Sequence, residues 1–287
     1  MRKKYTYNDI YEDLKKSHIR DGDLILIRAD LGSVGPMAGG ANTFINALLD
    51  IVGSNGTIVS LAYTDSYFFK TPDIKNTFTK ITNSFAGSLP NKMLKYNNSY
   101  RSEHPTNSIV AIGRLAKEIT NNHNVNSGAY EPIRKIINKD GKCLLVGCVD
   151  SSPGFTTTHL VECDLGLSKR MIFSKLNSVY YLDKEGNRKL FRRKDLGLCS
   201  KSFYKFYAHY VKREKLKMSY IGNAYSIIID AKEAYKIDYS LLSKNSKFNI
   251  CGAKDCKICN IRRWDRLHYI PMYFIRFLLK ELKLRYL

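Results

Sequence analysis

Two almost continuous apolar runs separated by a glycine-rich crossover constrain this chain more than any other feature. Asp23-Leu-Ile-Leu-Ile-Arg-Ala29 follows the turn pair Asp21-Gly22 and reads as a strand buried on both faces. A glycine-rich segment from Leu31 to Gly40 leads into Ala41 to Val52, where Phe44, Ile45, Leu48, Leu49 and Val52 share one helical face. Ser54-Asn55-Gly56 then makes a turn, and Thr57-Ile-Val-Ser-Leu-Ala62 reads as a second buried strand. Strand, crossover helix and strand of these lengths make a βαβ unit, and a parallel sheet is its consequence.

The pattern recurs at Ile109-Val-Ala-Ile-Gly113, a helix to about Asn121, and Lys142-Cys-Leu-Leu-Val-Gly-Cys-Val149. Before the first strand, Asn8 to Lys16 reads as an amphipathic helix with Asn8 as its N-cap. The polar stretch from Asp65 to Pro90 reads as a long excursion, and loops of this length are functional or disordered. Further on, Val179–Leu182 and Arg188–Phe191 flank a polar turn and predict a hairpin. Ile221–Ile229 predicts one more strand, and 230–243 a helix. The fold class that follows is α/β: a three-layer α/β/α arrangement whose mixed central sheet is parallel in its N-terminal half and antiparallel later. Residues 1–250 form its body, and 251–287 a Cys-containing, basic, amphipathic C-terminal segment.

Three segments carry candidate chemistry. Glycines at 32–40, between strand and helix, suit backbone amides that face an anion, yet neither the P-loop nor the dinucleotide consensus is met. A tight turn explains them equally well. Arg101, Ser102, His104 and Ser108 lie just ahead of a strand and offer a cation and several donors to a phosphate or thioester; a polar turn pinned at His104-Pro105 is the plainer reading. Gly154-Phe-Thr-Thr-Thr-His-Leu-Val-Glu162 follows a strand end, where α/β sheets place their ligands. His159 and Glu162 stand three apart, so a carboxylate on the same helical face can fix the imidazole tautomer of a general base. Thr156, Thr157 and Thr158 supply hydroxyls at that helix start; a helix cap with an ordinary ion pair is the alternative.

Together the segments resemble the aminoglycoside 3-N-acetyltransferase family. The resemblance rests on Leu-Gly-x-Val-x-x-x-x-Gly-Gly from Leu31, Val-Gly-x-x-Gly-Thr-Ile-Val from Val52 and Arg-Ser-x-His-Pro from Arg101. Gly128-Ala-Tyr-Glu-Pro-Ile-Arg-Lys-Ile and Thr158-His-Leu-x-Glu162 complete it, in order over roughly residues 20–175. It implies an acetyl-CoA-dependent N-acetyltransferase acting on an aminoglycoside or other amino sugar. His159 would be the base and Glu162 its orienter. Leu31, Gly32, Ser33, Val34, Gly39, Gly40, Arg101, Ser102, His104, Ser108, Thr157 and Thr158 would line the cofactor site. Two departures stand out: Arg28-Ala29-Asp30 where the family has serines, and Glu131 in place of Ser before Pro132. None of the motifs places a Cys where a covalent acyl intermediate would need it, so the amine is expected to attack the thioester directly.

Charge bears on the acceptor. Lys and Arg number 47 against 26 Asp and Glu, a net +21, whereas a polycationic aminoglycoside wants an acidic cleft. Asp150, Glu162 and Asp164 are the local acids. The expectation is a mono-amino sugar, in the setting of cell-surface polysaccharide synthesis. A sugar O-acyltransferase and a non-enzymatic membrane-associated relative are the rivals. Basic residues never form a long run, which argues against nucleic acid as partner. The start lacks an apolar stretch behind its charges, and the seven Cys read as reduced thiols, so a cytoplasmic setting is expected. Cys251, Cys256 and Cys259 have C-x4-C-x2-C spacing, an incomplete metal set that Cys199 or His268 would complete. The aromatic, basic tail from Trp264 to Leu287 suits packing on the body or a second subunit, as in a homodimer, or contact with the inner membrane face.

Overall fold

A computed structural model describes residues 3–68, 71–170, 177–193, 197–253, 256–263, 275, 278 and 279. Within these the chain runs α1 (Tyr7–Lys16), β1 (Leu24–Ala29), α2 (Leu31–Val34), α3 (Ala41–Val52), β2 (Thr57–Leu61), β3 (Tyr67–Phe68), α4 (Ser88–Met93), β4 (Ser99–Arg101) and β5 (Ile109–Gly113). It continues through α5 (Ala116–Thr120), α6 (Glu131–Asn138), β6 (Lys142–Val146), α7 (Thr157–Asp164), β7 (Asn177–Leu182), β8 (Arg188–Arg192), α8 (Tyr207–Lys212), β9 (Lys217–Ile221), β10 (Ala224–Asp230), α9 (Ala231–Lys244) and α10 (Lys257–Arg263).

Seven strands form one sheet in the order β4-β5-β2-β1-β6-β10-β9. Its centre is buried on both faces, which is why the central strands are apolar without alternation. On β1, Leu24 and Leu26 face one core while Ile25 and Ile27 face the other. On β6, Cys143 and Leu145 join the first core, and Leu144 and Val146 the second. Helices α5, α6, α7, α8 and α9 cover the first face, and α1, α3 and α4 the second, giving three layers.

The mixed α/β/α architecture stands as expected, with local differences. Among the described strands of the seven-stranded sheet, parallel pairing is confined to β1 with β2 and β1 with β6. β5 runs antiparallel to β2, so the second strand–helix–strand pattern is not a second parallel unit. The segment expected as one strand from Ile221 is half of a hairpin: β9 and β10 pair antiparallel around Gly222 and Asn223. Thr6, not Asn8, caps α1; its hydroxyl and the Asp9 carboxylate form a reciprocal capping box. The 65–90 excursion is partly ordered, with β3 joining β7 and β8 in a separate three-stranded sheet. Among the described residues no helix is long and apolar enough to cross a membrane. Most of the tail, including His268, lies outside the described residues.

Candidate active site

Strand order reverses beside β1: the first crossover places β2 on one side, and β6 later pairs on the other. Loops diverge at such a point and leave a crevice beyond the carboxyl ends of the strands. A cleft of about 590 Å³ occupies it. Arg28 and Ala29 at the end of β1 and Asp30 and Leu31 after it enter its wall, Tyr63 follows β2, Cys148 follows β6, Thr156 stands at the N-cap of α7 and His159 comes from within it. Phe85 to Ser88 and Pro90 also line it, so the long excursion contributes to the cleft wall.

Two glycines bring these loops together. Gly147 has φ +65°, and a Cβ there would stand 2.6 Å from the Ser33 Cβ, so only glycine lets α2 close on the end of β6. Gly154 has φ +82°, and its Cβ would stand 2.2 Å from that of Phe203. Arg28 crosses the gap: its guanidinium donates to the carbonyls of Ser152 (2.7 Å) and Gly154 (2.8 Å), fixing the loop that opens α7. Asp30, unwelcome beside a phosphate, has a local use. Its carboxylate accepts from Gly32 N (3.0 Å) and Ser33 Oγ (2.6 Å) and caps α2.

His159 Nδ1 lies 2.8 Å from Glu162 Oε2. Glu162 is fully buried, and its carboxylate also accepts from the Leu198 N–H (3.3 Å) and the Asn249 amide, with Arg262 Nη1 at 3.6 Å from Oε1. Donors thus surround it, and His159 must offer Nδ1–H, leaving Nε2 with its lone pair. Tyr130 stacks on the imidazole at 5.2 Å, and Phe203 meets it at 4.9 Å. A ring so held has little rotational freedom, which is what a proton acceptor of fixed aim requires.

The other expected residues divide sharply. Leu31 lines the cleft. Gly32, Ser33 and Val34 belong to the capped turn behind it, and Gly39 and Gly40 adopt positive φ to start α3; none is among the residues of the cleft wall. Arg101, Ser102, His104 and Ser108 are buried away from it. Arg101 donates to the carbonyls of Ala62 (2.9 Å), Lys80 (3.1 Å) and Thr82 and to Ser108 Oγ (3.0 Å), so its donors are consumed internally. Burial lowers its pKa to about 10. His104 Nδ1 accepts from the Asn107 N–H (3.0 Å) and shapes the turn, its ring stacked on His123 at 4.8 Å. Thr157 and Thr158 are likewise buried, and both donate to Asp238 Oδ2, at 3.3 and 2.7 Å.

Asp238 and Asn249 are the contributors that sequence patterning did not single out, and Arg28 was noted only as a departure from the family pattern. Asp238 also accepts from Tyr210 Oη (2.5 Å), and burial pushes its carboxyl up to about 7. An acid within the apolar face of α9, next to Ile237, was the available signal. Of the acids expected near the acceptor, Glu162 is sealed beneath His159, and Asp164 is held by Arg134 (2.5 Å) and Tyr235 (2.6 Å). The acid on the cleft wall among its described lining residues is Asp30.

Comparison with known proteins identifies the family and the fold. The chain is 30% identical over 174 residues to the aminoglycoside N(3)-acetyltransferase III of Salmonella, a match spanning 55% of this chain and 60% of that protein. It is 27% identical over 266 residues to the SPbeta prophage-derived aminoglycoside N(3')-acetyltransferase-like protein YokD of Bacillus subtilis, covering 85% of this chain and 95% of the relative. The structure of AAC-IIIb in binary complex with CoASH superposes with a TM-score of 0.71 at 22% identity, covering 84% of this chain and 97% of that one. The family model for aminoglycoside 3-N-acetyltransferase matches residues 26–243, and the chain belongs to that family.

Proposed function

We propose that the protein transfers the acetyl group of acetyl-CoA to an amino group of an amino sugar, with His159 as general base. The observation that carries this reading is the half-buried imidazole on the cleft wall whose Nδ1 is claimed by a buried carboxylate. Family membership and a relative solved with CoASH support the cofactor. In the reaction, Nε2 of His159 takes a proton as the amine nitrogen attacks the thioester carbonyl. The C–N bond forms, the C–S bond breaks, and the CoA thiolate leaves and is protonated. Glu162 keeps Nδ1 protonated and offsets the imidazolium charge. Holding amine and thioester in line supplies the remainder of the catalysis. A reaction fed by acetyl-CoA belongs in the cytoplasm, where that cofactor is made.

The described lining favours an acceptor with few amines. Its acid, Asp30, is already engaged in capping α2, and Arg28 adds a positive charge. A polycation would meet little counter-charge there, whereas a mono-amino sugar needs none. A CoA-release screen over kanamycin- and gentamicin-type aminoglycosides and phosphate- or nucleotide-linked amino sugars tests this. Turnover is expected with the mono-amino acceptors; release with the polycations alone would overturn the acceptor assignment.

A further inference from the structure

Outside the cleft, the chain gathers four thiols from two distant segments. Cys199 follows the 197–198 loop, and Cys251, Cys256 and Cys259 bracket the start of α10; all four Sγ atoms lie within 4.8 Å of one another. Cys199, Cys251 and Cys259 are buried, with Ile250 and Ile258 packed against them. The Cys251 N–H donates to Cys259 Sγ at 3.3 Å, the backbone-to-sulfur bond that favours a thiolate.

Spacing selects the ligand class. Four thiolates around one tetrahedral zinc at about 2.3 Å stand about 3.8 Å apart, a contraction of less than about 1 Å from the limit seen here. A cluster of two or four irons anchors its thiolates on separate metal ions and spreads them farther. Cationic groups stand close by: the Arg262 guanidinium, three residues beyond Cys259 and in electrostatic reach of Cys259 and Cys199, and Lys205 Nζ, which donates to the Ile250 carbonyl at 3.0 Å. They suit the net negative charge of a four-thiolate zinc centre.

The position of the cluster gives it a consequence. Leu198 immediately precedes Cys199, Asn249 stands two residues before Cys251, and Arg262 three residues after Cys259. These residues surround the Glu162 carboxylate. We propose that Cys199, Cys251, Cys256 and Cys259 bind one structural zinc ion, and that this knot fastens the supports of Glu162 and so positions His159. The positioning half rests on the reading of His159 as the base; zinc binding does not.

Metal analysis of the full chain equilibrated with zinc sulfate and desalted should give one zinc per chain. Titration of the zinc-free chain with cobalt(II) should produce the intense thiolate-to-cobalt absorption and the visible bands of a tetrahedral site. Cys256→Ser and Cys259→Ala should each lose both signals. Substoichiometric zinc in the wild-type chain, iron in its place, or a cobalt spectrum unchanged in the variants would overturn the site; wild-type cobalt binding decides the matter even if a variant fails to fold. For positioning, Cys256→Ser should lower kcat about 10-fold or more and alter its pH profile while leaving acetyl-CoA affinity unchanged. An unchanged kcat and pH profile in a zinc-free, folded protein would overturn the positioning role. Loss of the base assignment would show separately, as turnover surviving in His159→Ala with zinc still bound.

Discussion

Replacing Glu162 by Gln changes one atom and leaves the shape intact, so its consequences follow from hydrogen-bond arithmetic. The carboxylate faces donors on every side: His159 Nδ1 at 2.8 Å, the Leu198 N–H at 3.3 Å, the Asn249 amide, and Arg262 at 3.6 Å. A glutamine must turn its own NH2 toward one of them. A donor facing a donor in a buried site costs about 2–3 kcal/mol. The imidazole is the partner able to relieve it, by moving its proton from Nδ1 to Nε2, and that tautomer cannot accept a proton from the amine. Recovering the reactive tautomer costs the same free energy, so kcat should fall roughly 30- to 150-fold. Arg262 meanwhile loses its counter-charge, and stability should drop by about 3 kcal/mol. Acetyl-CoA binding should be untouched, because Glu162 is sealed from the cleft. CoA release at saturating acetyl-CoA, with urea unfolding on the same preparations, measures both effects. A folded Glu162→Gln enzyme with kcat within threefold of wild type would refute the argument.

Two further variants probe the frame. Asp238, its carboxyl raised from 3.8 to about 7 by burial, keeps its proton in the folded chain over a window where the unfolded chain has released it. Its stabilising contribution, about 4 kcal/mol, is therefore complete below about pH 4 and lost as pH rises through about 7. Urea unfolding across that window should show Asp238→Asn lacking this decline; parallel curves would contradict the assignment. Arg101→Ala leaves the carbonyls of Ala62, Lys80 and Thr82 without their donor and should cost about 3 kcal/mol or more, lowering Tm by several degrees. Below that Tm, the KM for acetyl-CoA should hold within about twofold; a selective rise in KM with unchanged Tm would return Arg101 to the cofactor site.

What the sequence made legible was local or continuous. β1, β2 and β6 announced themselves because strands buried on both faces are apolar throughout. β9 did not: it is an edge strand with Lys217, Met218 and Tyr220 exposed, so its composition carries no burial signal. The direction of β5 was hidden too, since a strand–helix–strand reading does not say which edge a strand joins. His159 and Glu162 were readable as a pair because one helical turn separates them. Asn249 and Leu198 reach the same carboxylate from 87 and 36 residues away, distances that no motif spans. Arg101 was ambiguous for a related reason. A buried arginine satisfied by carbonyls has the same sequence neighbourhood as one awaiting a phosphate, and the folded backbone alone distinguishes them.

Single-turnover acetyl transfer by His159→Ala, measured alongside direct acetyl-CoA binding, separates proton removal by His159 from a purely structural part. With His159 as the base, binding should stay within about twofold of wild type and transfer should slow by about 10²-fold or more at neutral pH. Transfer at the wild-type rate by a folded, cofactor-bound variant would contradict that role.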